Sequence, residues 1–485
     1  MKYLLKILSL IFLVTSSFIF SGCKKDLDLK PPYALTSSNA FNKLSDFNLA
    51  LNGMYSSFAS VNYYNSFLGC MTDILTDNVY ETTESLVNYQ KVANWEYLPN
   101  EGYMASVWLQ PYTAIFNANV IINGIDKFKA ENEKTYNRIL GQALAGRAIA
   151  HFDLLKCFAN DLDRNATVPG IPVKTQTDIT LPSRNSVKEV YDQIYADLNN
   201  AITLLSDVDV SINSATNRSY IDVFAARAAF AKVALYAKDY TTAIDQSTAC
   251  INNTALALAT RTEFPGIWKD ENIKEVIWAI QNNQGDPHNT FPCTDVIFFG
   301  ANPPRNSFAV HPSLLNLYTQ ATDIRFSSYF FVKNTTNSIP NYGVSKFRGR
   351  GTATNGLVNY KVFRTAEMYL IRAEANAKSG NDGNANNDLN TLRTARINGW
   401  TTQTYSGQIL IDEIENERRR ELCIEGHRWF DLKRTTRVVS RPTAGLGNPN
   451  GQVAQSLNST SNKWNWPIPQ TETLANSNIS QNTGY

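Results

Sequence analysis

The stretch ENERRRELCIEGHRWFDLKR, Glu415 to Arg434, gathers glutamates, arginines, an aspartate and a histidine into one short run. Two chemistries are open to it. Glu421, Glu425 and His427 could act as acid and base, since carboxyl and imidazole groups exchange protons with a substrate when held within reach of it. The same groups could instead pair with one another. On a helix, Ile411, Ile414, Arg418 and Leu422 share a face, and Glu417, Glu421 and Glu425 follow at four-residue steps beside it. A cation on the core side must be paired, because an uncompensated buried charge is strongly destabilising. This placement favours an internal ion-pair network of Arg418, Glu421, Glu425 and Arg428 over a catalytic site. Gly426 is placed to end the helix, after which Trp429, Phe430 and Leu432 return to burial.

Other catalytic patterns are missing from the sequence. His151, His288, His311 and His427 are far apart, with no H-x-x-x-H pair to hold zinc. There is no G-x-S-x-G elbow and no phosphate loop ending in Gly-Lys-Ser/Thr. The glycine-rich GRGTATNG at 349–356 has neither the strand nor the helix that would frame a phosphate site. A carboxylate pair for sugar hydrolysis is set by space rather than spacing, so that alternative stays open. The expectation is binding rather than catalysis, with no metal and no cofactor.

The elements that would carry such a surface begin with an export signal. Lys2 and Lys6 precede an apolar run from Leu8 to Phe20, and Ser21-Gly22-Cys23 follows. The run is too short for a membrane span and its flank is a processing site. Residues 1–22 read as a lipoprotein signal peptide resembling a bacterial lipobox, with lipid on Cys23 and a charged, proline-stiffened tether over 23–35. Several acyl chains on one cysteine anchor a large domain stably. The whole chain has 45 Lys and Arg against 43 Asp and Glu, and losing Lys2 and Lys6 with the signal leaves them equal. A neutral body argues against nucleic acid as a partner. Cys70, Cys157, Cys250, Cys293 and Cys423 are widely spaced, imply no disulfide framework, and read mostly as buried apolar residues.

Helical periodicity is strong in GQALAGRAIAHFDLLKCFA, in VKEVYDQIYADLNNAITLL with Ser186 as N-cap, and in DVFAARAAFAKVALYAKDYTTAIDQSTACI. The last fits a tetratricopeptide pair, with Tyr240 and Ala243 at the turn; a second copy runs through AEMYLIRAEANAKSGNDGNANNDLNTLRTARI, turning at Gly380 with Ala385 and Leu389 beyond. Trp278, within EVIWAI, reads as a buried strand residue. The predicted fold is mostly α: helix pairs forming a scaffold packed against a loop-rich irregular half, as one composite domain over 36–485. Segments of about 281–312 and 334–360 are rich in Asn, Thr, Gly and Pro, and long loops on a rigid scaffold are natural binding surfaces.

The residues 415–434 closely resemble the C-terminal signature of the SusD/RagB family of Bacteroidetes outer-membrane lipoproteins, E-R-x-x-E-L-x-x-E-G-x-R-W-F-D-L-x-R. TDN at 76–78, WLQPYTAIFNANVII, NIKEVIWAIQ, FRTAEMYLIRAEANAKSG and the terminal WPIPQTETLANSNISQNTGY look like further blocks in family order, the signature region spanning 411–485. The resemblance implies a lipid-anchored protein of the outer membrane, facing the cell exterior. It would catch glycans, or peptides in some members, and act as a lid on a SusC-like TonB-dependent transporter.

Ligand residues come from chemistry, since sugar rings stack on aromatic faces while amides and carboxylates bond their hydroxyls. Asp77, Asn78, Tyr80, Trp95 and Tyr97 form one candidate group; Phe298, Phe299, Asn302 and Arg305 form a second. Trp429 and Trp464 sit in signature stretches and read as structural. The competing classes are a surface glycoside hydrolase on a helical scaffold, a peptide-binding member, and an assembly scaffold without a ligand.

Overall fold

Apolar residues at three- and four-residue steps set the helices. In α1 (Phe47–Phe58), Phe47, Leu51, Met54 and Phe58 turn inward. Then come α2 (Gly102–Gly124), α3 (Glu133–Phe158) and α4 (Val187–Ser206). Asn132 caps α3 by accepting from the Thr135 amide. At the start of α4, the Ser186 amide donates to the Glu189 carboxylate at 2.7 Å and the Glu189 amide to Ser186 Oγ at 3.3 Å, a reciprocal cap. Two helix pairs follow: α5 (Val223–Tyr236) with α6 (Tyr240–Ile251), and α7 (Thr365–Lys378) with α8 (Asp382–Arg396), the second turning through Gly380 at φ 79°. The chain closes with α9 (Gly407–Leu422) and α10 (Arg428–Arg434) among its C-terminal elements.

Each helix from α1 to α6 packs on the next, α6 packs on α7, and α7 packs on both α8 and α9. Small residues permit this. The buried alanines of α5 let its neighbours close in, and a Cβ on Gly146 of α3 would stand 2.3 Å from Met54 Sδ of α1.

The computed structural model describes residues 1, 3, 41–206, 212–214, 216–283, 285, 307–336, 339–441 and 453–485. Cys23, its tether and nearly all of the signal segment lie outside them, as do Phe298, Phe299, Asn302, Arg305 and Cys293. Among the described residues no helix is long and apolar enough to cross a membrane.

The strands form two-stranded antiparallel sheets: β1 (Val79–Glu81) with β3 (Phe308–Val310), β2 (Val276–Ile280) with β6 (Tyr360–Arg364), and β4 (Phe330–Thr336) with β5 (Ile339–Val344). A short pair, Val439–Ser440 with Ser456–Leu457, lies near the end. All of β2 is buried, Trp278 included. The segment 334–360, read as irregular, opens inside the β4–β5 hairpin and ends on β6; its asparagines and proline are residue types depleted in strands, which hid the hairpin. One contiguous core runs from Leu44 to Ile479, and in it Trp429 stacks on Trp464 at 4.4 Å. Cys157, Cys250 and Cys423 are free and buried, whereas Cys70 is disulfide-bonded, a pairing that wide spacing could not reveal.

Candidate functional site

The acidic and basic residues of the opening stretch are held inside the protein. Arg364, from β6, donates to Glu421 Oε1 at 2.8 Å, to Glu275 Oε1 at 2.8 Å and to both oxygens of Glu425 at 2.8 and 3.0 Å. Arg396, from α8, bridges Glu421 and Glu275 again. Arg325, from the short helix Ile324–Tyr329, reaches Glu417 at 2.5 Å, Glu421 at 3.1 Å and Asp323 at 2.8 Å. Arg393 pairs with Glu417 and Lys346 with Glu425. The cations Arg325, Lys346, Arg364, Arg393 and Arg396, with Arg420 on Glu417, thus neutralise the carboxylates of Asp323, Glu275, Glu417, Glu421 and Glu425.

This arrangement disposes of the acid–base reading. Burial alone would raise the Glu421 carboxyl, yet Arg396, Arg364 and Arg325 hold it well below the usual carboxylate range. Glu417 is likewise held down, against its burial, by Arg420, Arg325 and Arg393. His427 is pushed well below its ordinary value by burial and then by Lys232 and Arg418. The space beside Arg418 and His427 is about 10 Å³, room for no more than one water. These groups are shifted away from the neutral range and are closed to substrate.

Three details differ from the sequence expectation. Arg418 and Arg428 do not join the Glu421 cluster: Arg418 pairs with Asp431 at 3.0 Å, and Arg428 crosses to Asp77. The cations on Glu421 come instead from Arg325, Arg364 and Arg396, of which Arg364 stands in the FRTAEMYL block. Gly426 does not cap α9, which stops at Leu422. Gly426 (φ 74°) belongs to the turn into α10, where a Cβ would fall 1.9 Å from the Leu68 carbonyl oxygen. That turn wraps Asp73, whose carboxylate accepts from the amides of Ile424 and Gly426.

The first ligand group is occupied by the fold. Asp77 is taken by Arg428 and Arg419, and against its burial they hold its carboxyl well below the usual range. Asn78 accepts from Arg419 and donates to Asp73. Trp95 is buried, donates to the Leu75 carbonyl at 3.0 Å, and carries the Arg441 guanidinium over its ring at 4.2 Å. Tyr97 is fully buried and donates to the Lys463 carbonyl. Tyr80 is buried on β1 and donates to Asn341 at 2.6 Å. A sugar ring finds no open face on Trp95 or Tyr97; both are corrected to structural roles, as are Asp77 and Asn78.

An open site lies elsewhere. A cleft of about 320 Å³ is lined from α1 by Asn52, Tyr55 and Ser56, from the segment before α5 by Ser219 and Tyr220, and past β2 by Gln281 and Asn283. On α1 Asn52 and Ser56 share the exposed face and Tyr55 lies at its edge beside the buried Leu51 and Phe58, so the core face fixes their direction. The Tyr55 hydroxyl donates to Gln142 at 2.7 Å and accepts from the Ile221 amide at 2.9 Å. Tyr220 meets Tyr55 edge-on at 5.7 Å and is 41% exposed. Ser219 bonds Gln281, whose amide donates to Asn283. No charged side chain lines the cleft among the described residues. The site was missed in sequence because Tyr220 stands in a polar run; the signal available was Gln281–Asn283, which opens the flagged Asn-rich loop. Among the described residues no group of three or more His, Cys, Asp or Glu side chains is arranged to hold a metal ion.

The SusD family model matches residues 326–485, and a second, described as starch-binding associating with outer membrane, matches residues 25–235. SusD-like protein P2 of Formosa agariphila is 26% identical, covering 96% of this chain and 97% of the relative. The starch-binding protein SusD of Bacteroides thetaiotaomicron is 37% identical over 26% of this chain and 21% of its own. Among solved structures, a SusD superfamily protein from Bacteroides thetaiotaomicron superposes with a TM-score of 0.79 at 25% identity, over 91% of this chain and 99% of the other. A SusD-like carbohydrate binding protein from Bacteroides vulgatus gives 0.77 at 25%, over 90% and 98%.

Proposed function

The chain belongs to the SusD family, and from that premise we propose that it binds glycan at the outer membrane through the Tyr55–Tyr220 cleft. The observation that carries this is the cleft's lining among the described residues: the half-exposed Tyr220 ring beside Tyr55, amides on both sides, hydroxyls between them, and no charged side chain. Such a lining suits a neutral saccharide, whose C–H face packs on Tyr220 while Asn52, Gln281 and Asn283 bond its hydroxyls. Phe298, Phe299, Asn302 and Arg305, later in the same Asn- and Pro-rich stretch of sequence, are proposed as further ligand contacts. Anchored by lipid on Cys23, the protein would hand its cargo to a TonB-dependent transporter of the SusC type. Binding rather than catalysis is favoured because Glu421, Glu425 and His427, the acid–base candidates of the C-terminal signature, are buried.

The test is isothermal titration of the purified protein against a panel of neutral oligosaccharides, with Tyr220→Ala beside wild type. Binding that Tyr220→Ala weakens about tenfold supports the reading, in line with the aromatic contribution of a stacking residue. Release of reducing ends from the same panel would replace it with a hydrolase.

A further inference from the structure

Two walls of the cleft, at Tyr220 and at Gln281, are irregular chain, and each is held by a buried asparagine that does not line it. Tyr220 stands on the segment between α4 and α5, outside any helix or strand. Asn213, 6% exposed, grips it in both directions. Its Oδ1 accepts from the Tyr220 amide at 3.1 Å, and its Nδ2 donates to the Tyr220 carbonyl at 2.9 Å. The same Nδ2 reaches Asp222 Oδ2 at 3.0 Å, and Asp222 caps α5 by accepting from the amides of Phe224 and Ala225. Strand β2 holds the two residues just before Tyr220. The Ala279 amide donates to the Arg218 carbonyl at 2.9 Å, and Trp278 Nε1 donates to the Ser219 carbonyl at 3.1 Å.

Past β2 the holding residue is Asn282, 1% exposed, between Gln281 and Asn283. It exchanges side-chain hydrogen bonds with Asn65: Asn65 Nδ2 donates to Asn282 Oδ1 at 2.7 Å, and Asn282 Nδ2 to Asn65 Oδ1 at 3.1 Å. Asn282 Nδ2 also donates to the Val358 carbonyl, and its backbone amide to Asn359 Oδ1. Asn65 is fully buried and donates to the carbonyl of Ala59, which lines the cleft one helical turn after Tyr55. Arg350 completes the group by donating to the Asn282 carbonyl and to Asn359 Oδ1.

A buried amide is tolerated when its donors and acceptors are met, and here the cleft walls and the chain behind them meet those of both asparagines. A wall that must be ordered when ligand arrives lowers affinity, whereas one fixed beforehand does not. We infer that Asn213 and Asn282 are positioning residues for the glycan. Asn213 presents the Tyr220 ring and Asn282 presents the Gln281 amide, each without touching the ligand. The inference rests on the cleft reading above and adds which buried residues make that cleft ready for a sugar.

The test is a pair of double-mutant cycles, read by isothermal titration with the tightest binder among maltohexaose, cellohexaose and mannohexaose. One cycle joins Asn213→Ala with Tyr220→Ala, and the other joins Asn282→Ala with Gln281→Ala. Thermal denaturation of each variant gives the folded fraction to which its affinity is referred. Both asparagine variants should bind more weakly than wild type, Asn213→Ala by about tenfold, and neither should add to the loss in its partner variant. A lowered melting temperature with wild-type affinity in the folded fraction, or a loss that adds in full to the partner's, overturns the inference for that residue. The cycles use separate elements, so one decides the matter where a variant of the other does not fold. Full affinity in Tyr220→Ala, or no wild-type binding to any of the three, overturns the cleft reading and this inference with it. A weakened Tyr220→Ala beside an unaffected Asn213→Ala overturns this inference alone.

Discussion

Arg428 and Asp77 stand 351 residues apart in the chain and meet in a two-pronged pair, Nε and Nη2 each 2.9 Å from a carboxylate oxygen. With Arg419, which reaches the Asp77 carbonyl and Asn78, this pair ties the start of α10 to the start of β1. The TDN block and the C-terminal signature are therefore two halves of one joint. Residues that look like chemistry in the sequence hold the helical half to the irregular half.

Glu421 receives three guanidiniums, so its neutralisation should be felt throughout the buried cluster it forms with Arg325, Arg364 and Arg396. Glu421→Gln is expected to lower the unfolding free energy by about 3–5 kcal/mol, the usual result of removing one partner from a buried ionic cluster. Urea denaturation reads the loss. Glycan affinity of the folded fraction should stay at the wild-type value, because the cleft at Tyr220 shares no residue with the cluster.

Gly426→Ala should be worse tolerated than its size suggests. The position lies at φ 74°, where a side chain adds about 1–2 kcal/mol of strain, and the new methyl would also meet the Leu68 carbonyl at 1.9 Å. A melting temperature unchanged from wild type would show that the turn can move aside.

Acid stability should have two limbs of opposite sign. Burial pushes the Asp73 carboxyl up to about 6, so the folded state binds its proton more tightly than the unfolded chain does. Between about 3.9 and 6 this group adds stability as pH falls, at most about 1.4 kcal/mol per unit. Glu417 and Glu421 are held below their ordinary values, so their contribution is fully present above about 4.3 and is lost as pH falls further. Denaturation midpoints from pH 7 to 3 should hold or rise to about 4.5 and then drop steeply. Asp197 and Asp222, also raised by burial, act in the same direction, so Asp73→Asn should weaken the first limb and leave the second.

Local patterns carried much of this architecture: the Ser186 N-cap, the Gly380 turn and the buried Trp278 strand. What escaped depends on partners far along the chain. Gly426 has the composition of a helix cap, and only the Leu68 carbonyl and the Asp73 carboxylate reveal that it shapes a turn. Tyr97 stands in a loop-rich region, but its hydroxyl is met by a carbonyl 366 residues later. Trp95 is hidden by Arg441, a cation whose hydrogen bonds go to the carbonyls of Ile74, Thr76, Ala93 and Ala454. Tyr220 lies in a polar run, and the ring it faces belongs to α1.

Trp95 and Tyr220 therefore make a discriminating pair of substitutions. Trp95→Ala empties a buried site beneath Arg441 and should lose about 3–5 kcal/mol of stability, with the affinity of the folded protein unchanged. Tyr220→Ala should leave the denaturation curve close to wild type and weaken glycan binding, because the ring is 41% exposed. The opposite pattern, a stable Trp95→Ala that no longer binds, would return the ligand to the first candidate group.

The most direct measurement is a crystal structure with an oligosaccharide chosen from the binding panel. The account predicts a sugar ring packed on Tyr220, its hydroxyls bonded by Asn52, Gln281 or Asn283. An oligosaccharide bound away from Tyr220, with the cleft holding only water, would contradict it.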